Sequence, residues 1–224
     1  MDHGWVVLGA SLLLSLTSSA RSKVGTASRD RAIPLTPMKV AFSIWIFIYI
    51  LILVSYFYQM WNVLPRWSNY AQAASFFLSA LWTEVFVRKE SWVPAIACLL
   101  LIATCVFSLL AAIWGNTWTD DSTWTQKLCV DAGYSLYSGW LLVASTLAIV
   151  NWAKDYTSNI PFSSLAAPIV LGIGVACARR DTVLLLPLLW AIALQESPPR
   201  KQQVVLLFVL LMGEAYIVAS IIFN

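Results

Sequence analysis

The sequence predicts an all-α protein, a bundle of helices that crosses a membrane several times. Hydrophobic residues make up 60% of the 224 residues, and charged residues make up only 11%, against about 25% in ordinary soluble domains. Several apolar stretches reach the roughly 17–25 residues that a helix needs to cross a bilayer. A soluble chain could not bury so much apolar surface, so we expect membrane lipid to be the solvent.

Composition also argues against several functional classes. The net charge of +3 is small and spread over several loops, so nucleic acid is not an expected partner. The chain has one histidine, His3, and no C-x-x-C pair, so we expect no metal site. No Ser-His-Asp set, paired carboxylates or phosphate-binding glycine loop is visible. We therefore expect no enzymatic activity.

The first apolar run covers residues 4–20 and has two interpretations. The small residues at 18–20 resemble a signal-peptide cleavage site. However, Asp2 and His3 precede the run, where a signal peptide would be basic, and Arg21 and Lys23 follow it. We favour a retained first helix.

The remaining elements follow from the lengths of the apolar runs. Four more spans are predicted at residues 39–60, 71–87, 92–114 and 132–153, and a last one at residues 203–223. Between them lie two shorter segments, residues 162–178 and 182–195, the second covering about 21 Å as a helix. They are either two short spans or a re-entrant hairpin around the polar turn at residues 179–181.

Basic residues predict the orientation, because they accumulate on the cytoplasmic or equivalent side. Ten follow the odd-numbered helices, namely Arg21, Lys23, Arg29, Arg31, Lys39, Arg88, Lys89, Lys154, Arg200 and Lys201. The other face holds four, Arg66, Lys127, Arg179 and Arg180. Both termini are therefore predicted on the less basic face, whichever interpretation of residues 162–195 holds.

Four separated motifs resemble one protein family. The first is Pro-x-x-x-x-Phe-x-x-Trp-x-x-x-Tyr, beginning at Pro37, and the second is Leu-Ser-Ala-Leu-Trp at residues 78–82. The third is Tyr-Ser-Gly-Trp-Leu-Leu-Val-Ala at residues 137–144, and the fourth is the Arg-Arg-Asp turn followed by an apolar Trp-Ala helix. Their order and spacing resemble the tryptophan-rich sensory protein/translocator protein (TspO/MBR) family, especially its longer branch. Twelve tryptophans accord with this resemblance.

The resemblance implies a five-helix core at residues 1–154 and a helical extension at residues 155–224. It also implies a hydrophobic ligand, such as a tetrapyrrole, haem or a sterol-like compound. Three positions depart from the family pattern: Ser79 and Ala148 replace asparagines, and Leu136 replaces a proline. Because two amide anchors are missing, the family's ligand chemistry does not transfer directly.

The same motifs have a physical interpretation. Residues at spacings of three, four and seven share a helix face, so each motif can point inward. Aromatic walls with a few hydroxyl and indole groups suit a planar, mostly apolar ligand. The alternative is that large aromatic and small residues only pack helices together. The candidate ligand-binding residues are Phe42, Trp45, Tyr49, Ser79, Trp82, Tyr137, Trp140, Ala144 and Ala148.

Two carboxylates interrupt apolar runs, where charges are costly and often functional. Glu84 lies one turn before Arg88 near a span end, so either an ion pair along the helix or a side chain that reaches the membrane interface explains it. Glu214 lies near the middle of the last span with no basic residue within reach on its own helix. We therefore predict a functional or interface role for Glu214.

Three functional hypotheses follow. The first is a sensor or translocator that binds a planar hydrophobic ligand, with haem, a porphyrin or a lipid as the candidate bound molecule. The second is a non-catalytic accessory subunit of a larger respiratory or photosynthetic membrane complex, with other subunits or a second copy as partners. The third, a transporter, rests on the paired short segments at 162–195. A eukaryotic source would favour an organelle, mitochondria first, or the endomembranes; a bacterial source would favour the inner membrane.

Overall fold

The computed structural model describes residues 4–21, 24, 27, 39–61, 67–115, 123–153, 166–195 and 200–222. These ranges contain eight α-helices of at least eight residues and no strand, which confirms the predicted fold class. The helices are α1 Gly4–Arg21, α2 Ile44–Trp61, α3 Trp67–Phe86, α4 Val93–Trp114, α5 Ala132–Ala153, α6 Ala166–Arg179, α7 Leu186–Ala193 and α8 Arg200–Ile222. Short 3₁₀ turns, Lys39–Ser43 and Val183–Leu185, lead into α2 and α7.

Three of the helical segments are long and apolar enough to cross a membrane: Val40–Trp61, Val93–Trp114 and Trp124–Ala153. Shorter apolar helices occur at Ala166–Arg179, Val183–Ala193 and Gln203–Ala219. α3 was predicted as a span but is less apolar, because it carries polar residues such as Asn69 and Gln72 that face the protein interior. The lower hydropathy of α3 therefore comes from residues that are buried in the protein and do not contact lipid.

The first five helices form a closed ring. α1 packs between α2 and α3, and α4 packs between α3 and α5. The ring is closed because α5 packs against α2. We call the end where α1 ends and α2 begins the basic end, and the end where α2 ends and α3 begins the opposite end. Since the ring is closed, side chains from all five helices point into one shared interior.

Small hydroxyl side chains join neighbouring helices of the ring. Ser108 on α4 and Ser138 on α5 share a hydrogen bond of 2.7 Å. Ser145 on α5 donates to the Leu101 carbonyl at 3.1 Å, and Ser75 on α3 donates to the Thr104 carbonyl at 2.9 Å. Such bonds let helix backbones approach closely, which matters in lipid because no hydrophobic force drives apolar helices together.

The C-terminal helices pack outside the ring, against α5. Here Gly139 is essential, because a Cβ built on it would lie 2.1 Å from the carbonyl oxygen of Leu184. Trp190 on α7 also donates its indole N–H to the Ala41 carbonyl at 2.9 Å. The α6–α7 hairpin is thereby held against both α5 and the start of α2. On α6, a Cβ built on Gly172 would lie 3.1 Å from the Leu188 side chain, whereas no described atom lies within 4 Å of a Cβ built on Gly174.

The turn after α6 is a tight helix C-cap. Arg180 has a left-handed backbone with φ of 54°, a position where glycine is usual. The Asp181 N–H donates to the Ala176 carbonyl at 2.9 Å, and the Arg180 N–H donates to the Cys177 carbonyl at 3.3 Å. These two hydrogen bonds reverse the direction of the chain at Arg180 and place Asp181 against α5.

The tip of the hairpin is buried in protein. Arg179 is 3% exposed and Asp181 is 0% exposed, and their side chains form an ion pair of 2.6 Å. Ser135 on α5 donates to the same carboxylate at 2.5 Å. α6 has 14 residues, or about 21 Å of helix, against about 30 Å of bilayer hydrocarbon. A short hairpin with a buried charged tip favours the re-entrant interpretation.

Candidate ligand site

Aromatic side chains of α2 and α5 meet in the basic half of the ring, together with Phe42, which lies just before α2 and is 37% exposed. The Trp45 ring stacks on Tyr49 with centroids 5.4 Å apart and contacts Tyr137 at 5.9 Å and Trp140 at 6.3 Å. Phe42 meets Trp140 edge-on at 5.7 Å. The structure thus joins five of the nine predicted residues, Phe42, Trp45, Tyr49, Tyr137 and Trp140, into one group that we call the aromatic cluster.

The other four predicted residues lie around this cluster in different ways. Ser79 is buried on α3 and faces the hydroxyl of Tyr137. Trp82 instead stacks on Phe86 of its own helix, with centroids 4.8 Å apart. Ala144 and Ala148 are partly buried on α5, one and two turns beyond Trp140. Both are small residues, which let neighbouring helices approach closely.

Buried polar atoms without partners occur next to the aromatic rings. The Tyr137 hydroxyl faces Ser75 and Ser79 but completes no hydrogen bond to either. The indole N–H of Trp82 is also buried and has no partner among the described residues. Buried polar groups normally find partners. These groups can therefore orient a ligand that carries hydrogen-bonding atoms.

The aromatic rings fill the cluster with their own side chains in this conformation. A separate cavity lies between α5 and the α6–α7 hairpin, lined by residues that include Val143, Ile169 and Leu188. Its volume of about 10 Å³ holds about one water molecule and not a planar ligand. A ligand at the cluster would consequently need a ring such as the partly exposed Trp45 to rotate away.

Sequence reasoning missed several inward residues. The Phe76 ring on α3 contacts Tyr137 with centroids 5.3 Å apart and belongs with the cluster. Toward the opposite end, three carboxamides are buried: Gln59, Asn69 and Gln72. Their signal was present, because the inward face of α3 repeats polar or aromatic residues at spacings of three and four. In a membrane helix, a face on which polar residues recur indicates the side that points into the protein, which is the reverse of the pattern in a soluble helix.

The two carboxylates occupy different environments. Glu84 accepts a hydrogen bond of 2.8 Å from Ser18 on α1, so it has a partner on a neighbouring helix. Glu214 lies on the same face of α8 as the buried Leu210 and Ile217, and its Oε1 is buried without a hydrogen bond. The predicted role of Glu214 stays a prediction. Within the described residues, no group of three or more His, Cys, Asp or Glu side chains could hold a metal ion.

A closed ring of apolar helices that carries an aromatic cluster inside defines an integral membrane protein of the helical-bundle class. The chain matches the model of the family described as TSPO-like protein over residues 5–223. Because this match covers nearly the whole chain, the protein belongs to the TSPO-like family, as its motifs predicted. A comparison with curated proteins returned no match, and a comparison with solved structures returned none.

Proposed function

We propose that this membrane protein binds a planar, mostly apolar ligand of tetrapyrrole or sterol-like type at the aromatic cluster and acts as a sensor or translocator. The observation that carries the proposal is the convergence of five aromatic side chains beside unpaired buried polar groups. Aromatic faces supply stacking area, and the polar groups supply orientation. An organellar membrane, mitochondrial first, is the proposed location in a eukaryote, and the inner membrane in a bacterium.

Replacing Trp45 with Leu tests this proposal. Trp45 contacts three other rings of the cluster, so its loss should weaken binding of protoporphyrin IX about tenfold, equivalent to about 1.4 kcal/mol. Affinity should be measured from the absorbance of the porphyrin, because removing a tryptophan alters the fluorescence of the protein.

Trp61→Leu is the matched control, because Trp61 lies at the far end of the same helix and is 86% exposed. Its affinity for the porphyrin should equal that of the wild type. In wild type, binding should also quench tryptophan fluorescence. Unchanged porphyrin affinity after replacing Trp45, Trp82 and Trp140 together would contradict the proposal.

The alternative function is that of an accessory subunit in a larger membrane complex. The aromatic rings pack directly against one another, and a cluster filled by its own side chains is what a purely structural bundle requires. Native mass measurement of the protein extracted gently from its own membrane separates the two functions. A monomer or homodimer that carries a pigment or lipid supports ligand binding, and a stoichiometric place in a large assembly supports the subunit role.

A further inference from the structure

The interior of the ring has a polar layer next to the aromatic cluster. Its members are the carboxamide side chains of Gln59, Asn69 and Gln72, which we call the amide layer. Gln59 is 1% exposed, and Asn69 and Gln72 are 0% exposed. Polar side chains this deeply buried require hydrogen-bond partners, since burial removes them from water.

The amide layer lacks most of those partners. Gln59 donates from Nε2 to the Ser55 hydroxyl at 3.0 Å and to the Tyr134 hydroxyl at 3.1 Å, but its Oε1 accepts nothing. In Asn69 and Gln72, neither the amide nitrogen nor the amide oxygen has a partner. Five amide atoms, both donors and acceptors, are thus free inside the described part of the bundle.

The amides lie toward the same end of the ring. Gln59 lies two residues before the end of α2, and Asn69 lies two residues after the start of α3. Tyr134, which Gln59 contacts, lies on α5, ten residues after the start of the helical segment Trp124–Ala153. Gln59 and Asn69 therefore lie toward the opposite end, Gln72 follows Asn69 by about one turn of α3, and all three side chains are buried.

The amide layer adjoins the aromatic cluster. Tyr134 precedes Tyr137 by three residues on α5, and Gln72 precedes Phe76 by four residues on α3. The rings of Phe76 and Tyr137 touch, with centroids 5.3 Å apart. One helical turn, about 5.4 Å, therefore separates the aromatic walls from the amides, and a single ligand can reach both.

We infer that the amide layer is the polar end of the ligand site, and that it selects a planar ligand bearing a neutral group with both donor and acceptor atoms, such as a carboxamide or lactam. This inference rests on the proposed function. Carboxamides pair donor to acceptor with such groups and offer no charge to neutralise a carboxylate. Among the buried residues of the described chain, the one cation is Arg179, which is paired with Asp181 on the hairpin side of α5.

The test compares two porphyrins that differ only in this group. Protoporphyrin IX carries two carboxylates at neutral pH, and its bis-amide derivative carries two neutral carboxamides. Wild-type protein should bind the bis-amide at least tenfold more tightly. In the double variant Asn69→Leu/Gln72→Met, the preference should fall to within twofold, through loss of affinity for the bis-amide.

The substitutions are chosen so that the variants should still fold. Replacing unpaired buried amides with apolar groups of similar size should keep or raise the midpoint of thermal denaturation. The single variant Gln72→Met provides a milder version, for which we expect a partial loss of preference. Gln203 on α8 donates to the Ile192 carbonyl outside the ring. The variant Gln203→Met should therefore keep the wild-type preference for the bis-amide.

The outcomes separate this inference from the proposed function. Equal affinity of wild type for the two porphyrins, or a preference that survives the double variant, would overturn the selection by the amide layer. If Trp45→Leu still lowered the affinity for both porphyrins in that case, the proposed function would stand. Binding of neither porphyrin would overturn both.

Discussion

Replacing Asp181 with Asn is expected to lower the free energy of unfolding by about 3–5 kcal/mol, because it leaves the buried Arg179 guanidinium without its counter-charge. For a chain of this size, the loss corresponds to a fall of about 10 °C in the midpoint of thermal denaturation. The measurement is a thermal melt in detergent, read by helical circular dichroism. Glu90→Gln, on the exposed turn between α3 and α4, should change the midpoint by very little.

A double variant distinguishes the charge from the shape of this site. In Arg179→Met/Asp181→Asn neither unpaired charge remains, so most of the lost stability should return. The coupling between the two substitutions is then read from a double-mutant cycle. If Asp181→Asn melted like wild type, the two side chains would not form a buried ion pair, and the hairpin tip would face water or a lipid headgroup.

Replacing Gly139 with Ala is expected to have the second largest effect. A Cβ at this position would lie 2.1 Å from the Leu184 carbonyl oxygen, which is backbone and cannot rotate away. The α6–α7 hairpin must therefore shift outward, at a cost of about 1–3 kcal/mol or more. The indole hydrogen bond from Trp190 to Ala41 should weaken with it. Thermal melting measures the cost, and limited proteolysis of the hairpin measures the displacement.

Gly174→Ala is the matched control for this substitution. Gly174 lies in α6, and no atom of the described residues lies within 4 Å of a Cβ built there. Alanine should therefore stabilise the protein by about 0.5–1 kcal/mol, because glycine loses more conformational freedom when a helix forms. Equal destabilisation by both alanines would show that glycine flexibility matters at these positions and that close contact with α7 does not.

The two predictions concern one structural relation, the docking of the C-terminal hairpin on α5. Gly139 immediately precedes Trp140, whose ring belongs to the aromatic cluster. Ser135, two residues before Tyr137, holds the hairpin tip. The face of α5 that receives the hairpin thus lies beside the residues that form the candidate ligand site, and a shifted hairpin should also alter porphyrin affinity.

Much of the candidate site could be predicted from sequence because helical periodicity is local. Trp45 and Tyr49 are four residues apart on α2, which places them on one face whatever surrounds the helix, and Phe42 joins them from the 3₁₀ turn before α2. Tyr137 and Trp140 follow the same rule on α5. The structure places these two faces against each other. Trp82 satisfied the same spacing but stacks on Phe86, because spacing does not say which neighbour a face meets.

The buried charges and amides could not be placed from sequence. In the sequence Arg179 and Asp181 belong to a polar turn, yet the C-cap at Arg180 folds this turn back onto Ser135 and buries both side chains. Asn69 and Gln72 lie in a helix that hydropathy alone describes as weakly apolar. Their burial depends on the order in which five helices close into a ring, which is a non-local property.

The sequence by itself determined the class of protein, the helices and the family, because apolar length, helical spacing and motif order are properties of contiguous chain. Tertiary structure alone decided which aromatic faces meet, that the hairpin tip is buried and that three amides are buried. The physical reason lies in the solvent. Lipid and protein interior are both apolar, so hydrophobicity does not say which face of a membrane helix points inward, and packing between helices must decide.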